Sequence, residues 1–167
     1  MSGMGDRWVA FVSVADRSGS LAAMTECFST RGISFEAVST LDIFDGHGTV
    51  AFVFAGTERI ARILARTLAR LTDVSDVTLS SADDPAVRAV AHAHLPMGAD
   101  ASVVDDLEVS AALVDADGSL LVNGPLSSVE KAVAALRAAG ATGLSRSLLR
   151  LAEARTDLPQ ADVEEQP

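Results

Sequence analysis

The sequence is poor in the groups that usually carry chemistry. One cysteine, Cys27, excludes an internal disulfide. There is one lysine, Lys131, there are three histidines, and no glycine loop of the P-loop or dinucleotide kind is present to cradle a phosphate. Aromatic residues make up 4%, with one tryptophan and no tyrosine, so a core must be assembled from Val, Leu, Ile and Ala. Thirteen basic residues against 23 acidic ones leave a formal charge of −10. That balance argues against nonspecific binding to nucleic acid or to an anionic membrane, both of which need a positive footprint. No apolar run approaches the roughly 18 to 20 residues of a membrane span. The residues Met1 to Arg7 do not have the basic-then-apolar layout of a signal peptide, so the cytoplasm is the expected compartment.

What is present is apolar residues, 49% of 167, enough for one compact domain or two small ones. Trp8 to Ala15 is a β-rich run that reads as a mostly buried strand. Asp16-Arg17-Ser18-Gly19-Ser20 is a turn cluster offering two helix N-caps. Leu21, Met24, Cys27 and Phe28 then recur at helical spacing to about Thr30, and Gly32 is a left-handed stop. Residues 33–43 and 49–55 flank the turn Asp45-Gly46-His47-Gly48 and read as a hairpin. A second helix follows, with Ile60, Ile63, Leu64, Leu68 and Leu71 on one face; Asp73 ends it, and residues 74–80 form a fourth strand. The order β-α-β-β-α-β is the split βαβ, or ferredoxin-like, arrangement of an α+β fold.

The expected domains are a tail at 1–7, the ferredoxin-like unit at 8–81 and a linker at 82–106 containing a strand at 88–95. Residues 96–106 are rich in breakers and read as weakly structured. A smaller α+β unit is expected at 107–152, with strands at 107–114 and 119–123, a helix at 126–139 and a last strand at 144–152. The acidic stretch 153–167 reads as disordered.

Three phrases resemble the regulatory small subunits of acetolactate synthase, whose N-terminal half is an ACT domain. Asp16-Arg17-Ser18-Gly19-Ser20-Leu21 is similar to that family's Asn-x-x-Gly-Val/Ala-Leu turn. Phe28-Ser29-Thr30-Arg31-Gly32-Ile33-Ser34-Phe35-Glu36 is similar to its Phe-Ser-x-Arg-Gly-Tyr/Phe-Asn-Ile-Glu. Leu136-Arg137-Ala138-Ala139-Gly140, leading to Leu144-Ser145-Arg146-Ser147, resembles its Leu-Arg-Pro-x-Gly helix end and Ala-Arg-Thr/Ser strand, and Leu71-Thr72-Asp73-Val74 resembles its Leu-x-Asp-Val. The likeness spans about residues 8–152. It implies two ferredoxin-like units and no catalytic residues on this chain. The implied partner is a large catalytic subunit that carries the thiamine diphosphate, Mg and FAD. It also implies side-by-side pairing of ACT units into a homodimer, with a branched-chain amino acid as effector between chains. The implied effector residues are Asp16, Ser18, Gly19, Ser20, Leu21, Ser34 and Glu36. Two positions depart from the pattern, since Asp16 and Ser34 stand where the family has Asn at the feedback site.

The chemistry of that turn fits a free amino acid. Gly19 permits close approach, and the following helix offers unpaired N–H groups and a positive dipole end to a carboxylate. Asn donates and accepts, whereas ionised Asp16 only accepts; it could hold an α-ammonium but would repel the carboxylate. The plainer alternative is that Asp16 and Ser18 are helix caps and Gly19 a turn residue. Arg59, Arg62, Arg66 and Arg70 form one stripe of the second helix, either a solvated face or a surface for an acidic partner. His92 and His94 share one face of a strand, but no third metal ligand stands nearby except Asp100, so no metal site is expected. Cys27 is expected to be a small buried hydrophobe and His47 a turn residue. Three functions stay open: regulatory subunit of a carboligase (the branched-chain enzyme or a specialised one with effector control lost), stand-alone amino-acid-binding ACT sensor, and an enzyme using the histidine pair.

Overall fold

The computed structural model describes residues 6–99, 101–115 and 117–150. The expected strand end at 151–152, the acidic stretch 153–167 and most of the N-terminal tail lie outside the described residues. The elements are β1 (Arg7–Ala15), α1 (Ser20–Ser29), β2 (Phe35–Phe44), β3 (His47–Ala55), α2 (Glu58–Leu68), β4 (Val74–Ser81), β5 (Val87–His94), a 3₁₀ turn (Ser102–Val104), β6 (Ser110–Leu113), β7 (Ser119–Pro125), α3 (Leu126–Ala138) and β8 (Thr142–Arg150). They build two four-stranded antiparallel sheets ordered β2-β3-β1-β4 and β6-β7-β5-β8. The two orders are the same topology written twice, so the fold is α+β with two ferredoxin-like units.

In the first unit α1 and α2 cover one face of the sheet. Phe28 of α1 meets Phe52 at a ring separation of 4.8 Å and Phe54 at 5.5 Å, and Leu64 and Leu68 of α2 are fully buried in the same cluster. Gly32, at φ +62°, lets the chain leave α1; the Ile33 N–H donates to the Phe28 carbonyl, and β2 therefore begins at Phe35 rather than at 33. The other face of the sheet is buried as well. Val9, Phe11, Ala51 and Val53 pack with Val87, Ala89, Leu126, Val129 and Leu148 of the second unit. Burial on both faces explains why β1 and β3 read as continuous apolar runs instead of alternating.

The second unit corrects two expectations. The strand at 88–95 belongs to no linker: it is β5, paired to β7 on one side and β8 on the other. Its position was hidden because the Ala82 to Ala86 turn resembles a boundary in composition. The strand expected at 107–114 shortens to Ser110–Leu113, because the Leu107 N–H turns back to the Val104 carbonyl and the Val109 N–H to that of Leu107. Gly124 marks the tightest crossing: a Cβ there would lie 2.7 Å from the Glu108 carbonyl oxygen. α3 covers this sheet with Val129, Ala132 and Leu136, while Ser102–Val104 stands where α1 stands in the first unit, its Val104 buried under α3.

An ion network ties the units together. The Arg7 guanidinium at the start of β1 donates to Glu36 of β2 (2.7 Å) and to both carboxylate oxygens of Glu130 on α3 (2.8 Å each), and Arg146 of β8 also donates to Glu130. Burial opposes ionisation of Glu130, but hydrogen bonds and charge from Arg7 and Arg146 outweigh it and hold the carboxyl below its usual range. Across the same junction the Leu148 N–H donates to Ser39 Oγ of β2 at 3.3 Å. Among the described residues no helix is long and apolar enough to cross a membrane.

Candidate functional site

The turn between β1 and α1 is built as the sequence suggests, with one change in its capping. Gly19 itself is the N-cap of α1, in the left-handed region at φ +91°, and contributes no side chain. Neither Asp16 nor Ser18 caps the helix; both are exposed. Ser20 is buried and points the other way, its Oγ donating to the Ala15 carbonyl at 3.1 Å and lying 3.4 Å from Asp73 Oδ2. The backbone is held from three sides. The Ala15 N–H donates to the Asp73 carbonyl, the Asp16 N–H to the Gly46 carbonyl of the β2–β3 hairpin, and Ser20 N–H to the Arg17 carbonyl. Leu21, 49% exposed, opens an apolar surface beside the helix start. The turn thus offers first-turn N–H groups, one free carboxylate at Asp16 and an apolar flank. Those are complementary to a carboxylate, an ammonium and an aliphatic side chain respectively.

Asp73 was missed as a site residue. Its Oδ1 pairs with Arg17 at 3.3 Å, and its backbone and side chain together pin both ends of the turn. The phrase Leu71-Thr72-Asp73-Val74 was the available signal, and it reads only as a helix-to-strand link.

Ser34 and Glu36 do not join this turn within one chain. β1 and β2 both pair antiparallel to β3, so they run parallel to each other. Phe35 is level with Phe54 and hence with Trp8, whereas Ala15 is level with His47 and Phe44. Ser34 therefore sits at the end of the sheet where β1 starts, and Asp16 at the end where β1 finishes, roughly 30 Å away at a strand rise of about 3.3 Å per residue. Glu36 is engaged by Arg7. The candidate site is two half-sites at opposite ends of one sheet.

The other candidates fall apart from it. Arg59, Arg62, Arg66 and Arg70 are all exposed, opposite the buried Ala61, Leu64 and Leu68, and Arg62 pairs with Glu58. His92 and His94 share the half-exposed face of β5, and among the described residues no three metal-ligating side chains cluster. His47 is not in the hairpin turn, which is Asp45-Gly46, but opens β3, its Nδ1 3.1 Å from the Asp45 carbonyl. Cys27 is buried, its Sγ 3.4 Å from the Ala23 carbonyl, and burial pushes the thiol up from its ordinary value.

No family model matches the chain, and no curated protein matches it in sequence. Among solved structures, the chain is similar to the acetolactate synthase small subunit from Thermotoga maritima. That likeness has a TM-score of 0.64 and 16% identity, and covers 84% of this chain and 92% of the other. The regulatory subunit of aspartate kinase from Thermus thermophilus is similar over 83% of this chain and 95% of that one, at 15% identity and a TM-score of 0.47, too loose a likeness to carry an argument. At these identities the first comparison establishes the fold: the two-unit α+β architecture expected from the resemblance is the architecture observed.

Proposed function

We propose that this chain is a non-catalytic regulatory subunit. In this reading it binds and activates a thiamine-diphosphate-dependent large subunit of the acetolactate synthase type, and an amino acid held between two paired N-terminal units modulates that effect. The observation that carries the reading is the split of the site. A turn suited to a free amino acid lies at one end of the first sheet, and the β2 positions that complete it in the resembling family lie at the other. Two copies paired antiparallel along the free edge of β2 bring one chain's Asp16–Leu21 turn to the other's Ser34 end. The β2 edge suits such pairing, since among the described residues it has no strand partner on its outer side and it exposes Phe35, Val38, Ile43 and Phe44. Effector control is then a coupling free energy between that site and the large subunit, with no reaction on this chain.

Asp16 and Ser34 favour a second form of the reading, in which the partner is a specialised carboligase and the effector response is altered or lost. Two experiments separate the forms. Adding the chain to candidate large subunits should raise acetolactate formation; no change with any of them contradicts the regulatory role. Calorimetric titration with valine, leucine and isoleucine should show weak binding; tight valine binding contradicts an altered site. Binding of an amino acid without any copurifying large subunit would point to a stand-alone sensor.

A further inference from the structure

Although acids outnumber bases by 23 to 13, four arginines gather on one helix face. Arg59, Arg62 and Arg66 recur at helical spacing along α2, and Arg70 carries the stripe past the helix end, about 16 Å in all at about 1.5 Å per residue. All four are exposed; Arg62 pairs with Glu58, and the other three make no ion pair among the described residues. Beside the stripe, between α2 and the edge strand β4, lies a hollow of about 320 Å³ lined by Trp8, Ala65 and Leu79 together with Arg62 and Arg66. The Trp8 indole is fixed there by its N–H, which donates to the Gly56 carbonyl at 3.0 Å. Ile63, 42% exposed, adds apolar surface among the arginines. The surface is thus cationic with an apolar floor, complementary to a segment in which carboxylates flank an aliphatic side chain.

We propose that this surface is the docking site of the chain's own acidic C-terminal stretch, residues 151–167. Charge is the first argument. The stretch carries Glu153, Asp157, Asp162, Glu164 and Glu165 against the single Arg155. Pattern is the second. Asp162-Val163-Glu164-Glu165 sets an aliphatic residue between carboxylates, so Val163 enters the Trp8 hollow while the acids meet the arginines. Reach is the third. β8 ends at Arg150, level with Val87. The Val87 N–H donates to the Asp84 carbonyl and the Asp84 N–H to the Ser81 carbonyl, two turns that each span less than about 7 Å. Ser81 is level with Trp8. With about 5.5 Å across each strand pair, Arg150 lies within roughly 25 Å of Trp8. Eight extended residues cover that distance at about 3.3 Å each, which leaves 159–167 to lie along the stripe. The tether holds the stretch at an effective concentration near the millimolar range, so several weak surface ion pairs act together. The docked stretch shields the stripe, and a partner presenting carboxylates has to displace it. The contact is separate from the β2 edge and does not rest on the pairing proposed there.

Trp8 is the single tryptophan, so energy transfer from it to a dansyl group near the chain end reports the contact directly. The dansyl group is attached to the full chain through Gln166→Cys; Cys27 is buried, and labelling the wild type measures its background. Transfer should fall about twofold or more between about 10 mM and about 1 M salt, as the screening length shrinks from about 30 Å to about 3 Å. Arg59→Glu with Arg66→Glu leaves the Arg62–Glu58 pair in place and should abolish the transfer at low salt. Adding Glu164→Lys with Glu165→Lys should restore it, a rescue that damage to the fold cannot produce. Transfer that ignores both salt and the charge exchanges overturns the proposal. Transfer that grows with protein concentration gives the stretch to a second copy and overturns docking within one chain. Binding of poly-glutamate to the stripe with no change in transfer assigns the surface to an outside acidic partner and overturns it as well.

Discussion

The two units are the same fold under different constraints, and their sequences show it. In the first, both faces of the sheet are covered, so β1 reads Trp-Val-Ala-Phe-Val-Ser-Val with four consecutive buried residues from Val9 to Val12. In the second, one face is covered, and β5 reads Val-Arg-Ala-Val-Ala-His-Ala-His, buried at every other position. The first has α1 with a left-handed glycine at its start; the second has Ser102–Val104 at the corresponding place and, among the described residues, no equivalent of the Asp16–Leu21 turn. The candidate turn lies in the unit whose sheet is covered on both faces, the second unit supplies one of those covers, and the Arg7–Glu130–Arg146 network joins the two.

The comparison can be broken most severely at the core of the first unit. Phe52→Ala removes a ring that stacks on Phe28 and should cost about 3–5 kcal/mol, measured by denaturant titration. A cost below about 1 kcal/mol would mean that the aromatic cluster is not what holds α1 to the sheet. Gly124→Val sharpens the second unit. Its Cβ meets the Glu108 carbonyl, so the strand must shift, and a loss of about 1–3 kcal/mol is expected. Glu130→Ala tests the junction. It leaves Arg7 and Arg146 without their shared acceptor and should cost about 1–2 kcal/mol. It should also split a single unfolding transition into two if the network couples the units.

The same carboxylate sets a pH dependence. Its folded-state value lies below the unfolded one, so its contribution is fully present above about pH 4.3. That contribution is lost as pH falls through the folded value. Glu130→Gln should flatten the acid side of a melting-temperature profile; an unchanged slope would remove this network from the account. The smallest effect is expected at Arg66→Glu on the exposed stripe of α2, within about 0.5 kcal/mol of wild type.

Much of the first unit was legible because periodicity, turns and stops agree there. Gly32 after a helical stripe and Gly46 in a hairpin turn each force one local outcome. The second unit was harder to read. Its central strand β5 carries Ala and His in place of the Val and Phe of β1, and the turn before it has the composition of a linker. Only long-range pairing to β7 and β8 reveals it as the middle of a sheet. At the candidate site the turn was legible, but the role of Asp73 depends on contacts 53 to 58 residues apart in sequence. The separation of Ser34 from Asp16 depends on the parallel course of β1 and β2, which no local pattern contains.

The central claim is that a complete amino-acid site needs two chains, and complementation tests it most directly. One variant, Gly19→Val, spoils the turn half; another, Ser34→Trp, spoils the β2 half. Calorimetry with valine, leucine and isoleucine should detect no binding to either variant alone. An unfolded and refolded mixture should regain about a quarter of the wild-type sites, because half of its dimers are mixed and each of those has one intact site. Full binding by either variant alone, or no recovery in the mixture of two folded variants, would contradict the account.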